Sequence, residues 1–238
     1  ADVAGRAGPF IEEALSALAG NIHSVYIVGS AVTDDYTAGK SDVNSVFVLN
    51  KMDFGFLEVL SSMGNKYSKK KLAAPLVMTP EYIANSTDVF PVEFLTFKLI
   101  HETIYGEDLL KGLEIKRDNL RHQCERETKE KLIGLRQGYI SSMGDAKALT
   151  ENFVRMITGY MPLFRGIIFL TGNVPPVLYD DVLKALSEAT KVDCAVFNNL
   201  LNVKRERVKL PLKTLNEVFR EYYLATERLV KVVDEIAI

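Results

Sequence analysis

Two apolar, β-branched-rich runs dominate the first fifth of the chain: Val25-Tyr26-Ile27-Val28-Gly29-Ser30 and Asp42-Val43-Asn44-Ser45-Val46-Phe47-Val48-Leu49. Eleven mostly polar or small residues separate them, and the pattern predicts strand, loop, strand. Ahead of the first run, Phe10, Ile11, Ala14, Leu15 and Leu18 recur at helical spacing behind Pro9, which predicts a helix over 9–18 ending at Gly20-Asn21 and leaves residues 1–8 as a frayed lead-in. Behind the second run, Phe56, Leu57, Val59, Leu60 and Met63 predict a helix over 54–63 that stops at Gly64-Asn65. A third apolar run covers 72–78. Thr79-Pro80-Glu81 carries the signature of a helix start: a capping hydroxyl, a proline for the first turn and an acid for the dipole. Residues 85–88 read as a turn, and 89–95 as a fourth strand in which Pro91 marks an edge or a bulge. Strands alternating with helices imply a small mixed sheet with helices packed on it.

From about residue 106 the texture changes and the pattern turns wholly helical. A long charged helix is expected over 114–143, with Leu120, Cys124, Thr128, Leu132, Leu135 and Tyr139 on one face. Residues 146–170 are apolar nearly all round, hence buried, and split or kinked at Pro162. Helices over 179–189, 194–203 and 212–236 complete a bundle. The expected architecture is therefore an α/β domain with a small mixed sheet over 1–110 and an all-α helical bundle over 111–238. The join lacks linker composition, so the two parts are expected to pack together.

Composition narrows the field only a little. The 238 residues carry a net charge of −2, which gives no global electrostatic footprint for nucleic acid and argues against it as a partner. No uninterrupted run of eighteen apolar residues appears, so no membrane-spanning helix is expected. With no signal peptide visible and two cysteines, Cys124 and Cys194, far apart in helical contexts, the expectation is a reduced, cytoplasmic protein.

The chemistry concentrates where the first strand ends and the second begins. A glycine at a strand end lets backbone approach a ligand closely, and a short helix following it aims free N–H groups at a phosphate. Alternation along a strand puts Asp42 and Asn44 on one face. An apolar residue, Gly, Gly or Ser, a spacer, then acid–apolar–acid is the pattern of the nucleotidyltransferase superfamily that includes DNA polymerase beta and the aminoglycoside nucleotidyltransferases. Val28-Gly29-Ser30, eleven residues and Asp42-Val43-Asn44 resemble it, and Val92-Glu93-Phe94 resembles the third acid that follows on a later strand. The resemblance covers roughly the first 110 residues directly. It implies a nucleotidyltransferase-like fold in which Gly29 and Ser30 hold nucleotide phosphates. Asp42, Asn44 and Glu93 would stand at the metal-binding positions, with Asp42 and Glu93 catalytic. It also implies Mg2+ as cofactor, a nucleoside triphosphate as donor, and a hydroxyl of a small molecule or protein as acceptor.

The chain departs from the pattern at Asn44, where the superfamily has its second acid. An amide keeps one oxygen but loses the charge that would bridge two divalent ions, and catalysis of this kind is mainly positioning and electrostatics. Two functions follow: transfer of a nucleoside monophosphate to a hydroxyl, or a catalytically impaired fold that binds a nucleotide or a partner. Asp34 and Asp35 are the nearby substitutes for the missing acid.

Other features carry less. Gly39-Lys40-Ser41 looks like the end of a P-loop but lacks the glycine five residues earlier and the helix that must follow. His23, His101 and His122 have no metal spacing. Lys69-Lys70-Lys71 and the group Lys204, Arg205, Arg207 and Lys209 read as solvated basic runs. Arg121, Arg126 and Arg136 are expected to pair with Glu125, Glu127 or Glu130 along the long helix.

Overall fold

The computed structural model describes residues 2–18, 20–206 and 208–237, the side chain of Ser68 excepted. The chain forms two compact units, residues 1–88 with 94–114 and residues 89–93 with 115–238.

The first unit is built on a four-stranded sheet of β1 (Ile22–Val28), β2 (Asn44–Leu49), β3 (Leu76–Met78) and β4 (His101–Gly106), in the order β3-β2-β1-β4. β1 is antiparallel to both β2 and β4, and β3 is parallel to β2, so the sheet is mixed as the sequence implies. A parallel partner needs a crossover connection, and helix α2 (Phe54–Tyr67) supplies it. One sheet face packs Val25, Ile27, Val43, Phe47 and Leu49 against Phe10, Ile11 and Ala14 of α1 (Asp2–Ala17) and Phe56 and Met63 of α2. Helix α3 (Pro80–Ser86) starts where expected, its cap Thr79 Oγ1 accepting from the Tyr82 N–H at 3.1 Å.

Three expectations for this unit need correction. First, α1 begins at Asp2 rather than near Pro9, which lies inside the helix. Ala7 and Phe10 bury on the sheet, Arg6 Nε lies 3.2 Å from Asp2, and Tyr36 Oη donates to Asp2 at 2.8 Å, so the lead-in is anchored at both faces. Second, α2 runs through Gly64-Asn65, because Tyr67 is buried against Phe10 and its hydroxyl donates to Glu13 at 2.5 Å. Third, residues 89–95 are not a strand: Pro91–Leu99 is helix α4, and the fourth strand comes later, at β4. Pro91 takes the first helical position, where its missing N–H costs nothing, and Glu93 lies in the first turn, favoured by the dipole. Val89 and Phe90, whose β propensity carried the strand assignment, are exposed turn residues.

Among the described residues the second unit is all helical. It contains the first turn of α4, then α5 (Arg117–Ser141), α6 (Ala146–Ile157), α7 (Met161–Leu170), α8 (Tyr179–Thr190), α9 (Ala195–Glu206) and α10 (Leu212–Glu235). The long charged helix buries the expected face, Leu120, Cys124, Thr128, Leu132 and Leu135, with Tyr139 half-buried. The apolar stretch 146–170 is split by a 3₁₀ turn over Thr158–Tyr160 just before Pro162. This stretch is apolar and long enough to pass for a membrane span, yet 61% of its most apolar window is buried inside the fold. Tyr160, Phe164, Phe197 and Tyr222 interlock at centroid distances of 4.9–5.8 Å to form the centre of the bundle. Arg165, buried within α7, donates to the carbonyls of Pro176 at 3.1 Å and Val177 at 2.6 Å. Arg117 closes the C-terminus of α7 by donating to Phe169 O and Leu170 O at 3.2 and 2.6 Å. Both cysteines are free and buried. Burial pushes the Cys194 thiol up to about 12, and burial followed by Glu127 and Glu93 holds Cys124 protonated as well.

Candidate functional site

Strand β1 ends at Val28 in extended backbone (φ −130°, ψ 158°), and Gly29 turns out of it with φ +75°. That left-handed conformation is why glycine stands here. Gly29–Val32 winds one 3₁₀ turn, which Thr33 closes with its N–H on Ser30 O at 3.1 Å and its hydroxyl on the same oxygen at 3.2 Å. The first N–H groups of such a turn have no partner within it, and the Gly29 N–H is taken by Ile100 O at 3.2 Å.

Register fixes what shares this face. Val28 pairs with Asn44 on one side and with His101 on the other; Tyr26 pairs with Val46 and Thr103. These residues therefore look away from the α1 and α2 core. Asn44 lies against the turn: a Cβ at Gly29 would be 3.9 Å from its Nδ2. Asp42 lies just ahead of β2, exposed, two residues from Asn44 and with buried Val43 between them, so both point outward on one face. The described contact of Asp42 is Lys71 Nζ at 3.9 Å, a loose surface pair. The first unit thus brings Gly29, Ser30, Asn44 and Asp42 to one end of the sheet, with Lys71 beside them.

The remaining carboxylates of the first unit do not complete the set. Glu102 is the one acid within the four strands. It pairs with Ile27, so it faces the opposite side from Asn44. Asp34 lines a groove with Ile27, Glu102 and Ile104, again on the α1 side. His101 does share the Asn44 face, but its Nδ1 meets Phe97 O at 2.7 Å and its Nε2 meets Asp108 at 2.9 Å, so both ring nitrogens are engaged. Partial burial raises the Asp108 carboxyl, but the Lys111 N–H and the His101 ring outweigh it and hold the group below the usual carboxylate range.

Glu93 belongs to the second unit. It sits on the first turn of α4, not on a strand, and its Oε2 accepts from Gln123 Nε2 at 2.7 Å. The same amide nitrogen donates to Glu127 at 2.7 Å, and Gln123 Oε1 accepts from the Val92 N–H at 2.9 Å. Gln123 thereby joins two carboxylates and the open end of a helix. Sequence patterning gave no warning of this: a glutamine two turns into a charged helix looks solvated, and only its place one residue before Cys124 puts it near the buried stripe. Of the arginines on this helix, Arg121 pairs with Glu125 at 2.7 Å and Arg126 with Glu130 at 3.8 Å, as expected, whereas Arg136 bonds Tyr223. In the second basic run, Arg205 pairs with Asp180 at 2.9 Å and Lys204 donates to Thr158 Oγ1 at 2.9 Å, while Arg207 lies outside the described residues.

Magnesium requires an octahedral shell of oxygens, with charge enough to hold it. Beside the Gly29 turn on this face the donors are the Asp42 carboxylate and the Asn44 carboxamide, and the Asp108 carboxylate, which also reaches this face, is engaged by His101. Among the described residues no group of three His, Cys, Asp or Glu side chains could hold a metal ion. The residues present do not fit the two-metal centre that the superfamily pattern implies.

A strand-end glycine turn, a mixed four-stranded sheet and a helical C-terminal half together define the aminoglycoside nucleotidyltransferase-like fold. No protein-family model and no curated protein sequence matches the chain. Among solved structures, the fold is similar to that of spectinomycin adenyltransferase AAD(9) from Enterococcus faecalis, crystallised with ATP and spectinomycin. The TM-score is 0.57, covering 97% of this chain and 99% of that one, at 13% sequence identity. At that identity the likeness is one of fold.

Proposed function

We propose that this chain is a nucleotidyltransferase-fold protein that binds a nucleotide or a partner without metal-dependent transfer. One observation carries the reading: at the start of β2, beside the Gly29 turn, Asp42 is the one carboxylate and Asn44 stands where the superfamily pattern has its second acid. Asn44 offers a neutral oxygen, the equivalent positions on β4 are His101 and Thr103, and the Glu93 carboxylate is already held by Gln123. Transfer of this kind depends on neutralising a triphosphate with fixed divalent ions, and the first unit provides no such charge. The Gly29 turn, by contrast, has the form that admits a phosphate against backbone N–H groups. Gly29 and Ser30 hold the nucleotide in this reading, and Asp42 contributes charge and orientation rather than a metal bridge.

The resemblance to an adenyltransferase solved with ATP and spectinomycin supports the second reading, adenylyl transfer to a hydroxyl of a small molecule. Calorimetric titration with ATP, in magnesium and in EDTA, combined with transfer of α-labelled ATP to spectinomycin and a panel of hydroxyl acceptors, separates the two. The binding reading expects ATP affinity that EDTA leaves unchanged and no label on any acceptor. Magnesium-dependent labelling that Asp42→Ala abolishes overturns it in favour of the transferase.

A further inference from the structure

Lys69, Lys70 and Lys71 do not spread into solvent as an ordinary basic run does. With Arg6 of α1 and the backbones of Gly5 and Gly39 they line a concave pocket of about 450 Å³. The 3₁₀ turn Ser68–Lys70 carries the first two lysines. Lys71 then adopts φ 60°, a conformation that favours glycine, while its carbonyl accepts from the Val43 N–H at 2.8 Å. Backbone held in this state by its surroundings points to a constrained site rather than a free tail.

The charges here are barely neutralised. Neither Lys69 nor Lys70 has a carboxylate within ion-pair distance among the described residues, and Lys70 Nζ lies 5.3 Å from the centroid of the Tyr67 ring. Lys71 has only the loose 3.9 Å pair with Asp42. Lys66, which does not line the pocket, is by contrast matched by Glu13 at 2.5 Å. Arg6 spends its Nε on Asp2, but its Nη1 is buried and donates to no protein acceptor. A buried guanidinium N–H without an acceptor is costly, and four cations around one hollow repel one another. An anion with several oxygens among the lysines relieves the repulsion. The two glycines leave room for it: a Cβ at either meets nothing within 4 Å, and Gly39 turns with φ +74°.

We infer that this pocket is an oligophosphate-binding site. Three ammonium groups and a guanidinium match an anion bearing several charges on closely spaced oxygens, a di- or triphosphate, better than a lone carboxylate. The site borders the Gly29–Ser30–Asn44 face through the Lys71–Asp42 pair, but Arg6, Lys69 and Lys70 lie outside that face, so the inference does not rest on the nucleotide reading above.

Titration of the full chain with inorganic tripolyphosphate, by calorimetry and by amide chemical-shift mapping, tests it. Saturable binding is expected, with one set of shifts centred on Gly5, Gly39 and Lys69 to Lys71 that is separate from any at Gly29 and Ser30. The variant Lys69→Gln with Lys70→Gln changes two exposed side chains and should keep the wild-type melting temperature. It should weaken binding by about tenfold or more, from the loss of two cations near the anion, whereas Lys51→Gln, an exposed lysine of the same unit that does not line the pocket, should leave it unchanged. Unchanged affinity in the lysine variant, or shifts centred on Gly29 to Val32, overturns the proposal. So does no heat and no shift at millimolar tripolyphosphate. Tighter binding of a single-stranded oligonucleotide, with affinity rising with its length, would identify a nucleic-acid surface instead and equally overturn the proposal.

Discussion

Replacing Gln123 with leucine should destabilise the second unit out of proportion to the size of the change. Gln123 is 4% exposed, and its amide makes three bonds, to the Val92 N–H, Glu93 and Glu127. Val92 is 1% exposed, and losing the bond from its N–H to Gln123 costs about 1–3 kcal/mol. Glu127 is half-buried and would lose a charge-assisted donor, worth about 1–2 kcal/mol. Glu93 is exposed and exchanges its bond for water at little cost. Leucine recovers about 1 kcal/mol through apolar burial. The net loss is about 1–4 kcal/mol, which for a unit of this size lowers the melting temperature by roughly 4–16 °C. Calorimetric melting of the full chain at pH 7 reads it directly. A melting temperature within about 2 °C of wild type would refute the clamp.

The same cluster sets a pH dependence with a defined sign. Burial raises the Glu127 carboxyl, Gln123 opposes it, and the nearby Glu93 charge adds to the rise. At pH below the ordinary value of 4.5 both folded and unfolded chains hold the proton and Glu127 contributes nothing. As pH climbs from there through the raised folded value, the unfolded chain releases its proton first and stability falls. Glu127→Gln should therefore raise the melting temperature at pH 7, leave it unchanged at pH 4, and flatten the profile between. Gly166→Ala adds a methyl 2.8 Å from Cys124 Sγ and should cost about 1 kcal/mol net, overpacking outweighing the gain in helix propensity. Cys124→Ala frees that space, so urea titrations of the single and double variants should show strongly non-additive energies, and simple additivity would contradict the close approach of α5 and α7. Asn44→Asp places a second carboxylate on the Asp42 face; without metal it should cost about 0.5 kcal/mol by repulsion. Magnesium at 10 mM, a concentration chosen for weak exposed sites, should restore more melting temperature to the variant than to wild type. Equal responses would show that this face does not gather cations even with the acid in place.

What the sequence made legible follows the strength of its periodicities. β1 and β2 are buried on both sides, so their runs of Val, Ile and Phe stood out, and the amphipathic stripes of α5, α8, α9 and α10 gave those helices to within a few residues. The Gly29 turn and the shared face of Asp42 and Asn44 were equally readable, because strand alternation and a glycine at a strand end are local properties. β4 was not: an edge strand with polar and apolar residues mixed, His-Glu-Thr-Ile-Tyr-Gly, has no buried run to announce it. Pro91 is compatible with a strand edge in the sequence alone, but its place ahead of Glu93 fits a helix start better. The lysine pocket could not be seen at all, since it depends on Arg6, some sixty residues away, lying beside Lys69 to Lys71.

The position of β4 also bears on how the chain is made. β1 is apolar from Val25 to Val28, and one of its edges is completed only by a strand that lies roughly seventy residues downstream. At ribosomal rates of about 5–20 residues per second, that edge stands open for roughly 4–14 s during synthesis. A nascent chain ending anywhere between β2 and Gly106 presents a naked hydrophobic ladder, the kind of surface that pairs with other chains. Gly106 itself tolerates no side chain, since a Cβ there would lie 2.0 Å from His23 O. Late closure by an intolerant strand means that chains truncated ahead of Gly106 should aggregate more readily than the full chain.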